Sequence, residues 1–262
     1  MRDYREILVD IQEKIATVTF NRPEQQNTFT TQLKEEVADA FENLGQSKEV
    51  RVIVLTGAGK NFCAGGDIKM FKTRIESGDF LTEDGFLLAA KMANTIRRCP
   101  KPVIAMVNGA AAGAGCSLAA ACDFRFAQPG SKFGMAFINM AFSGDTVGIY
   151  NLQRIIGVTR TEEMIMTGDL ISAEKAAEWG LTKLTSENAL KEETYQFAKK
   201  LAQKSPKAIA YQKRLIAEFF YSDLDAYTRK EAEVMACCAR SKDHAEAVYA
   251  FLEKRKANFI GE

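Results

Sequence analysis

Two runs of small residues, each directly after an apolar run, constrain this chain more than any other feature. The first is Asn61-Phe62-Cys63-Ala64-Gly65-Gly66-Asp67, after the apolar run at 50–56. The second is Asn108-Gly109-Ala110-Ala111-Ala112-Gly113-Ala114-Gly115, after the apolar run at 103–107. Short continuous apolar runs bounded by turn residues read as buried strands. A small-residue loop leaving a strand lets a ligand reach the main chain, because no side chain stands in the way. Two such loops that converge can aim two peptide N–H groups at one oxygen, the arrangement that stabilises an oxyanion.

The rest of the composition narrows the chemistry. Hydrophobic residues make up 47% of the 262 residues and charged residues 26%, the balance of a globular protein with one large domain, or one domain and a small appendage. A net charge of +1 supplies no basic field for nucleic acid. No apolar run approaches the roughly 18 residues needed to span a bilayer, and Met1-Arg-Asp-Tyr-Arg-Glu begins no secretory signal. A cytoplasmic location without a membrane partner is therefore expected. The cysteines show no CxxC spacing and read as buried free thiols, and a single histidine cannot build a His-rich metal site. No metal is expected. The histidine, His244 in Ser-Lys-Asp-His-Ala-Glu, reads as a surface helix residue. Without a Ser-His-Asp or Cys-His triad, a carboxylate must carry any proton transfer.

Along the chain, 7–10 and 15–20 read as paired strands. Residues 30–44 carry a helical stripe (Leu33, Val37, Phe41, Leu44) that Gly45 stops. The stretch 68–98 begins irregularly and becomes helical from 89, until Cys99-Pro-Lys-Pro102 breaks it. A short small-residue helix is expected at 114–121, strands at 124–127 and 132–134, and mostly helix from 151. The pattern is an α/β core followed by a helical C-terminal part. Gly113-Ala-Gly115 starts like a dinucleotide fingerprint, but the next glycine is at 130, so NAD or FAD is not expected.

The chain resembles the crotonase, or enoyl-CoA hydratase/isomerase, superfamily. The resemblance rests on Asn21-Arg22-Pro23 with Asn27, the Cys-Ala-Gly-Gly-Asp loop at 63–67, Asn-Gly-Ala-Ala-Ala-Gly at 108–113, and Cys122-Asp123. It continues through Met166-Thr-Gly-Asp169 with Ile171-Ser-Ala173, Trp179-Gly-Leu181 and Glu253-Lys-Arg-Lys256, in order over nearly the whole chain. It implies a spiral of ββα turns over 1–200 that binds acyl-CoA, and a helical oligomerisation region over 201–262. It also implies a homotrimer, often paired into a hexamer. No cofactor is implied beyond coenzyme A as the carrier of the substrate. The oxyanion donors are then the N–H groups of Ala64 and Ala114, the latter standing where the family usually has glycine. The wall of the CoA channel is assigned to Arg22, Pro23 and Gln25, with Ala64, Gly65, Asp67 and Ile68 on the adjoining loop. Lys256 and Phe259, in the tail, are expected to reach the CoA phosphates, from the same or a neighbouring subunit.

Hydratases of the superfamily carry two glutamates. At the matching positions this chain has Ser117 and Phe137, so the two-carboxylate addition of water is in doubt. Asp145, in Ser143-Gly-Asp-Thr-Val-Gly148, instead matches an aspartate of dienoyl-CoA isomerases and of 4-chlorobenzoyl-CoA dehalogenase, the local sequences that it most resembles. The dehalogenase's histidine base and stacking tryptophan are replaced by Ala90 and Phe137. The reading is an enoyl- or dienoyl-CoA isomerase in which Asp145 moves a proton while Ala64 and Ala114 hold the dienolate. Phe137, Met135 and Phe142 are expected to form an apolar pocket that raises the Asp145 pKa, with Ser117 as a possible polar contact to substrate. The alternatives are an enoyl-CoA or cyclic dienoyl-CoA hydratase, a hydrolase or dehalogenase working through an Asp145 ester, and a CoA-thioester binder without activity. A capping aspartate at the start of a helix is the structural alternative for Asp145.

Overall fold

The computed structural model describes residues 3–262. A hairpin opens it: β1 (Ile7–Gln12) pairs antiparallel with β2 (Ile15–Phe20) across a turn in which Glu13 and Lys14 both take positive φ. From β2 the sheet continues in parallel through β3 (Val52–Gly57), β4 (Val103–Val107), β6 (Phe124–Ala127) and β9 (Lys183–Leu184). The order is β1-β2-β3-β4-β6-β9. β3 and β4 are buried throughout, as parallel strands covered on both faces must be. A second, three-stranded sheet joins β5 (Ala110–Ala112), β7 (Lys132–Gly134) and β8 (Ile171–Ser172).

Helices fill the connections and the C-terminal half. α1 (Thr31–Gln46) starts at Thr30, whose Oγ1 accepts the Leu33 N–H at 3.0 Å. Gly45 lies inside this helix instead of ending it. A Cβ there would come within 3.3 Å of Pro100, so glycine permits the close approach of the loop before β4. The stretch 68–98, read as irregular at first, is two helices: α2 (Ile68–Ser77) and α3 (Glu83–Arg98). The pattern hid α2 because no residue in it is buried; its start is fixed by Asp67, whose carboxylate accepts the Lys69 and Met70 N–H groups. α4 (Ala114–Ala121) is fully buried. α5 (Gly148–Ile156), α6 (Val158–Thr167), α7 (Ala173–Glu178) and α8 (Leu190–Ala202) follow. The last three helices are α9 (Pro206–Phe220), α10 (Leu224–Cys238) and α11 (Lys242–Leu252).

The main core lies between the sheet, α1, α3 and α4. A smaller apolar cluster joins Phe86 and Phe142 to Met235 and Ala236 of α10. Trp179 is buried in the main core, and Asp123 and Arg125 serve backbone groups: Asp123 accepts the Val103 N–H at 2.8 Å, and Arg125 donates to the Leu181 and Cys122 carbonyls. No helix among the described residues is long and apolar enough to cross a membrane.

Candidate active site

The two small-residue loops are tied to each other by main-chain hydrogen bonds. The Cys63 N–H donates to the Ala110 carbonyl and the Ala112 N–H to the Cys63 carbonyl, each at 3.0 Å. The contact is close because Gly115 has no side chain: a Cβ there would lie 2.3 Å from the Cys63 carbonyl oxygen. The first loop is held from its other side by Asn27, which is fully buried in a left-handed conformation. Its amide donates to the carbonyls of Ala58, Asn61 and Phe62, and its side-chain oxygen accepts the Arg22 N–H. The Asn21-Arg22-Pro23 segment with Asn27 therefore braces the loop.

Together these loops form one wall of a cavity of about 1030 Å³. Ala64, Gly66, Gly113 and Ala114 line it, together with Phe29, Phe86, Phe137 and Phe142. Ala114 is the first residue of α4, where the N–H has no partner within the helix. The partial positive charge at a helix start adds to that donor. The second donor stands differently. The Ala64 N–H points to the Gln26 carbonyl at 3.1 Å, so an incoming oxygen has to compete for it.

Asp145 lines the same cavity. It sits between the single-turn 3-10 helix Ala136–Met140 and α5. Its carboxylate does not cap α5, which has no side-chain cap; Oδ1 accepts the Thr146 hydroxyl at 2.8 Å. Burial among the aromatic walls pushes its pKa above the ordinary carboxylate value, while Thr146 and the Lys34 ammonium pull it back. Lys34, from the second turn of α1, lines the cavity too. Among the described residues its ammonium donates to the Gly85 carbonyl alone, at 3.3 Å, and no carboxylate lies within ion-pair distance. Burial lowers its pKa, and the field of Asp145 opposes that fall.

The turn that presents Asp145 is strained. Thr146 and Val147, both β-branched, have φ of 58° and 57°. Side chains branched at Cβ rarely adopt that region, and each such residue costs on the order of 1–3 kcal/mol. α10 holds the turn in place. Glu231 accepts the Val147 N–H at 2.9 Å, and the Gly144 N–H points to the Met235 sulfur at 3.3 Å.

Several expected contacts fall elsewhere. Ser117 and Met135 are buried but do not line the cavity. They lie beneath Gly148, where a Cβ would meet Ser117 Oγ at 2.1 Å and Met135 Cε at 2.6 Å, and so form the floor under the Asp145 turn. Arg22, Pro23 and Gly65 also lie off the cavity surface; Arg22 is paired with Glu6. Gln25, Asp67 and Ile68 do line it, Asp67 while capping α2. Lys256 and Phe259 reach it from the same chain, because α11 packs against α2 and the 3-10 turn and carries the tail across the mouth. His244 is not a surface residue. It is 2% exposed, donates from Nδ1 to the Met140 carbonyl at 2.8 Å, and stacks on Phe142 with ring centroids 4.1 Å apart. Burial lowers its pKa, so it packs as a neutral ring behind the cavity wall. Glu231 and Lys34 were not singled out in the sequence: each looks like one charge among many on a helix, and neither lies in a motif.

Comparison with known proteins agrees with this geometry. Residues 10–262 match the family model described as enoyl-CoA hydratase/isomerase. The chain is 31% identical to the trans-2-decenoyl-[acyl-carrier-protein] isomerase of Streptococcus mutans, over 99% of this chain and 100% of that protein. It is 33% identical to the crotonyl-CoA hydratase of Syntrophomonas wolfei, over 99% of each. Among solved structures, an enoyl-CoA hydratase from Mycobacterium avium subsp. paratuberculosis superposes with a TM-score of 0.89 at 26% identity, covering 98% of this chain and 100% of that one. A largely parallel sheet wrapped by helices, with two linked small-residue loops walling a cavity, is the crotonase fold, and the chain belongs to the enoyl-CoA hydratase/isomerase family of enzymes.

Proposed function

We propose that the enzyme shifts a carbon–carbon double bond in an enoyl or dienoyl group held as a coenzyme A thioester. Asp145 removes a proton from a carbon conjugated with the thioester, and the C–H electron pair moves through the chain onto the thioester oxygen. The Ala114 and Ala64 N–H groups stabilise that oxygen, the second after giving up the Gln26 carbonyl; one such donor is typically worth about 3–4 kcal/mol in the transition state. Collapse of the dienolate takes a proton at another carbon from the Asp145 carboxyl, whose proton exchanges with solvent, so no co-reactant is consumed. The observation that carries this reading is the placement of Asp145: a carboxyl with a raised pKa inside the aromatic part of the cavity, in a strained turn and not at a helix cap.

A hydratase is the second reading, favoured by the name of the Syntrophomonas relative. Against it, Ser117 is sealed from the cavity and Phe137 presents a ring, so nothing at these two positions holds a water between two acids. An Asp145 ester, as in a dehalogenase or hydrolase, has no base at Ala90, which is buried in α3. Mass spectrometry of a panel of enoyl- and dienoyl-CoA thioesters incubated with enzyme in deuterated water separates the readings. Isomerisation appears as deuterium in a product of unchanged hydration state, hydration as a hydroxyacyl product, and an ester route as ¹⁸O from labelled water in Asp145. A pure binder leaves every thioester unchanged.

The mouth of the cavity, with Gln25, Asp67, Ile68, Lys256 and Phe259, is the proposed seat of the coenzyme A moiety. The helical region 201–262 is proposed to oligomerise, as a trimer or a pair of trimers. Exposed apolar residues along α9 (Tyr211, Leu215, Ile216, Phe219 and Phe220) support this assignment. Light scattering of the purified protein tests it, with Phe219→Glu expected to lower the mass to that of a monomer.

A further inference from the structure

Among the described residues, Glu231 is the carboxylate hydrogen-bonded to the backbone of the turn that carries Asp145. It is 8% exposed, on α10, and does not line the cavity. One oxygen, Oε2, accepts the Val147 N–H at 2.9 Å; the other, Oε1, is buried with no hydrogen-bond partner. A buried carboxylate with one unpaired oxygen is expensive to ionise. Beyond Val147 lies the other acid, Asp145, whose field acts on Glu231. The turn between them holds two consecutive β-branched residues in the left-handed region, a conformation that lasts only where its surroundings enforce it.

We propose that Glu231 is the positioning residue for Asp145: it clamps the strained turn through the Val147 N–H, and the two carboxyls form a pair that shares a single proton. The inference rests on the acid/base reading of Asp145 and adds a partner that the motif does not contain. With one proton on the pair, Asp145 is the ionised member that faces substrate, and Glu231 holds the proton on Oε1. Burial first, then the charge of Asp145, pushes the Glu231 pKa up to about 8, whereas the Val147 N–H and the Tyr227 hydroxyl pull it down. When Glu231 ionises, its charge repels that of Asp145 and raises the cost of keeping both as anions. The pair thus gives Asp145 two electrostatic environments, one on either side of that second ionisation.

The groups around the pair are few. Tyr227 lies one turn earlier on α10, its phenol pushed up by burial and by Glu231. Lys34 faces Asp145 from α1. From α5, Arg154 stacks on the Tyr150 ring and its field reaches Tyr227. α3, packed along α10, offers the uncharged Asn94 to Thr228, and its Arg98 pairs with Asp225.

Two variants separate clamp from charge. Glu231→Gln keeps an acceptor for the Val147 N–H and removes the proton; Glu231→Ala removes both. In Glu231→Gln the alkaline inflection near pH 8 in kcat should disappear, with KM within about threefold of wild type. In Glu231→Ala kcat should fall about 100-fold with little change in KM, because the carboxyl of Asp145 is misplaced. A Glu231→Gln profile that overlays the wild type overturns the shared proton, and a folded Glu231→Ala with wild-type kcat overturns the clamp. A measurement independent of turnover keeps this apart from the role of Asp145. In protein labelled with ¹³C at aspartate carboxyls, the Asp145 signal, assigned with Asp145→Asn, should titrate in two steps in the wild type and one in Glu231→Gln. One step in both overturns the pairing even if Asp145 proves essential, and two steps sustain it even if Asp145→Asn is active.

Discussion

The Ala64 N–H and the Gln26 carbonyl form a 3.1 Å hydrogen bond at the proposed oxyanion site. One of the two donors therefore already has an acceptor before a thioester arrives, and the Ala114 N–H at the start of α4 is the readier of the two. Binding of an unreactive acyl-CoA should move the Ala64 and Ala114 amide resonances and lower the thioester carbonyl stretching frequency, as a polarised carbonyl requires. A carbonyl frequency equal to that of the free thioester in water would remove the oxyanion site from the mechanism.

Lys34 acts on Asp145, the proposed base. Its positive charge lowers the pKa that burial raises on Asp145. Removing that charge with Lys34→Met leaves desolvation opposed only by the Thr146 hydroxyl, so the folded-state pKa of Asp145 rises further. A base works in its ionised form, so the acidic limb of the pH–rate profile should shift to higher pH and activity below neutrality should fall. A limb that stays in place or moves to lower pH would show that Lys34 does not act on Asp145.

The joint between the two loops has a glycine at its tightest point. In Gly115→Ala the new Cβ meets backbone, the Cys63 carbonyl 2.3 Å away, and the loop bonds between Cys63 and residues 110–112 must give. Overpacking of this kind costs about 1–3 kcal/mol, and the oxyanion geometry should go with it. Gly85→Ala is the contrasting change: it lies inside α3 with nothing closer than 4.0 Å to its Cβ, and should stabilise the helix by about 0.5–1 kcal/mol. Urea midpoints of the two variants should move in opposite directions.

Much of this was legible in the chain, and the exceptions have physical causes. The loops could be read because a strand followed by small residues is a local pattern, and Asp145 because it lies in a short run that matches known isomerases. Glu231 could not: its partner Val147 is 84 positions away, and its helix reads as evenly charged. His244 misled for a related reason, since its polar neighbours describe the exposed face of α11 while its ring faces Phe142. Ser117 and Met135 were correctly buried but on the wrong side of the wall, because sequence gives proximity to Asp145 and not which face of the turn they support. The short helix α2 was missed because it buries no residue that periodicity could register.

The Glu231 carboxyl also makes a stability prediction. Its pKa rises from 4.5 when unfolded to about 8 when folded, so the folded state keeps a proton that the unfolded chain has lost. That contribution is complete below about pH 4.5 and declines as the pH climbs to about 8. Between pH 5 and 8.5 the wild-type urea midpoint should therefore drop more than that of Glu231→Gln. An equal drop in both would mean that Glu231 is not held protonated by the fold.

The most direct measurement is solvent hydrogen exchange into an enoyl-CoA in deuterated water, for the wild type and Asp145→Asn side by side. The wild type should place deuterium at the carbons that gain and lose the double bond. In Asp145→Asn exchange and isomerisation should fall together, by a factor on the order of 10²–10⁴ typical of a lost acid/base, while thioester binding persists. Undiminished exchange in Asp145→Asn would contradict the assignment of Asp145 as the group that moves the proton.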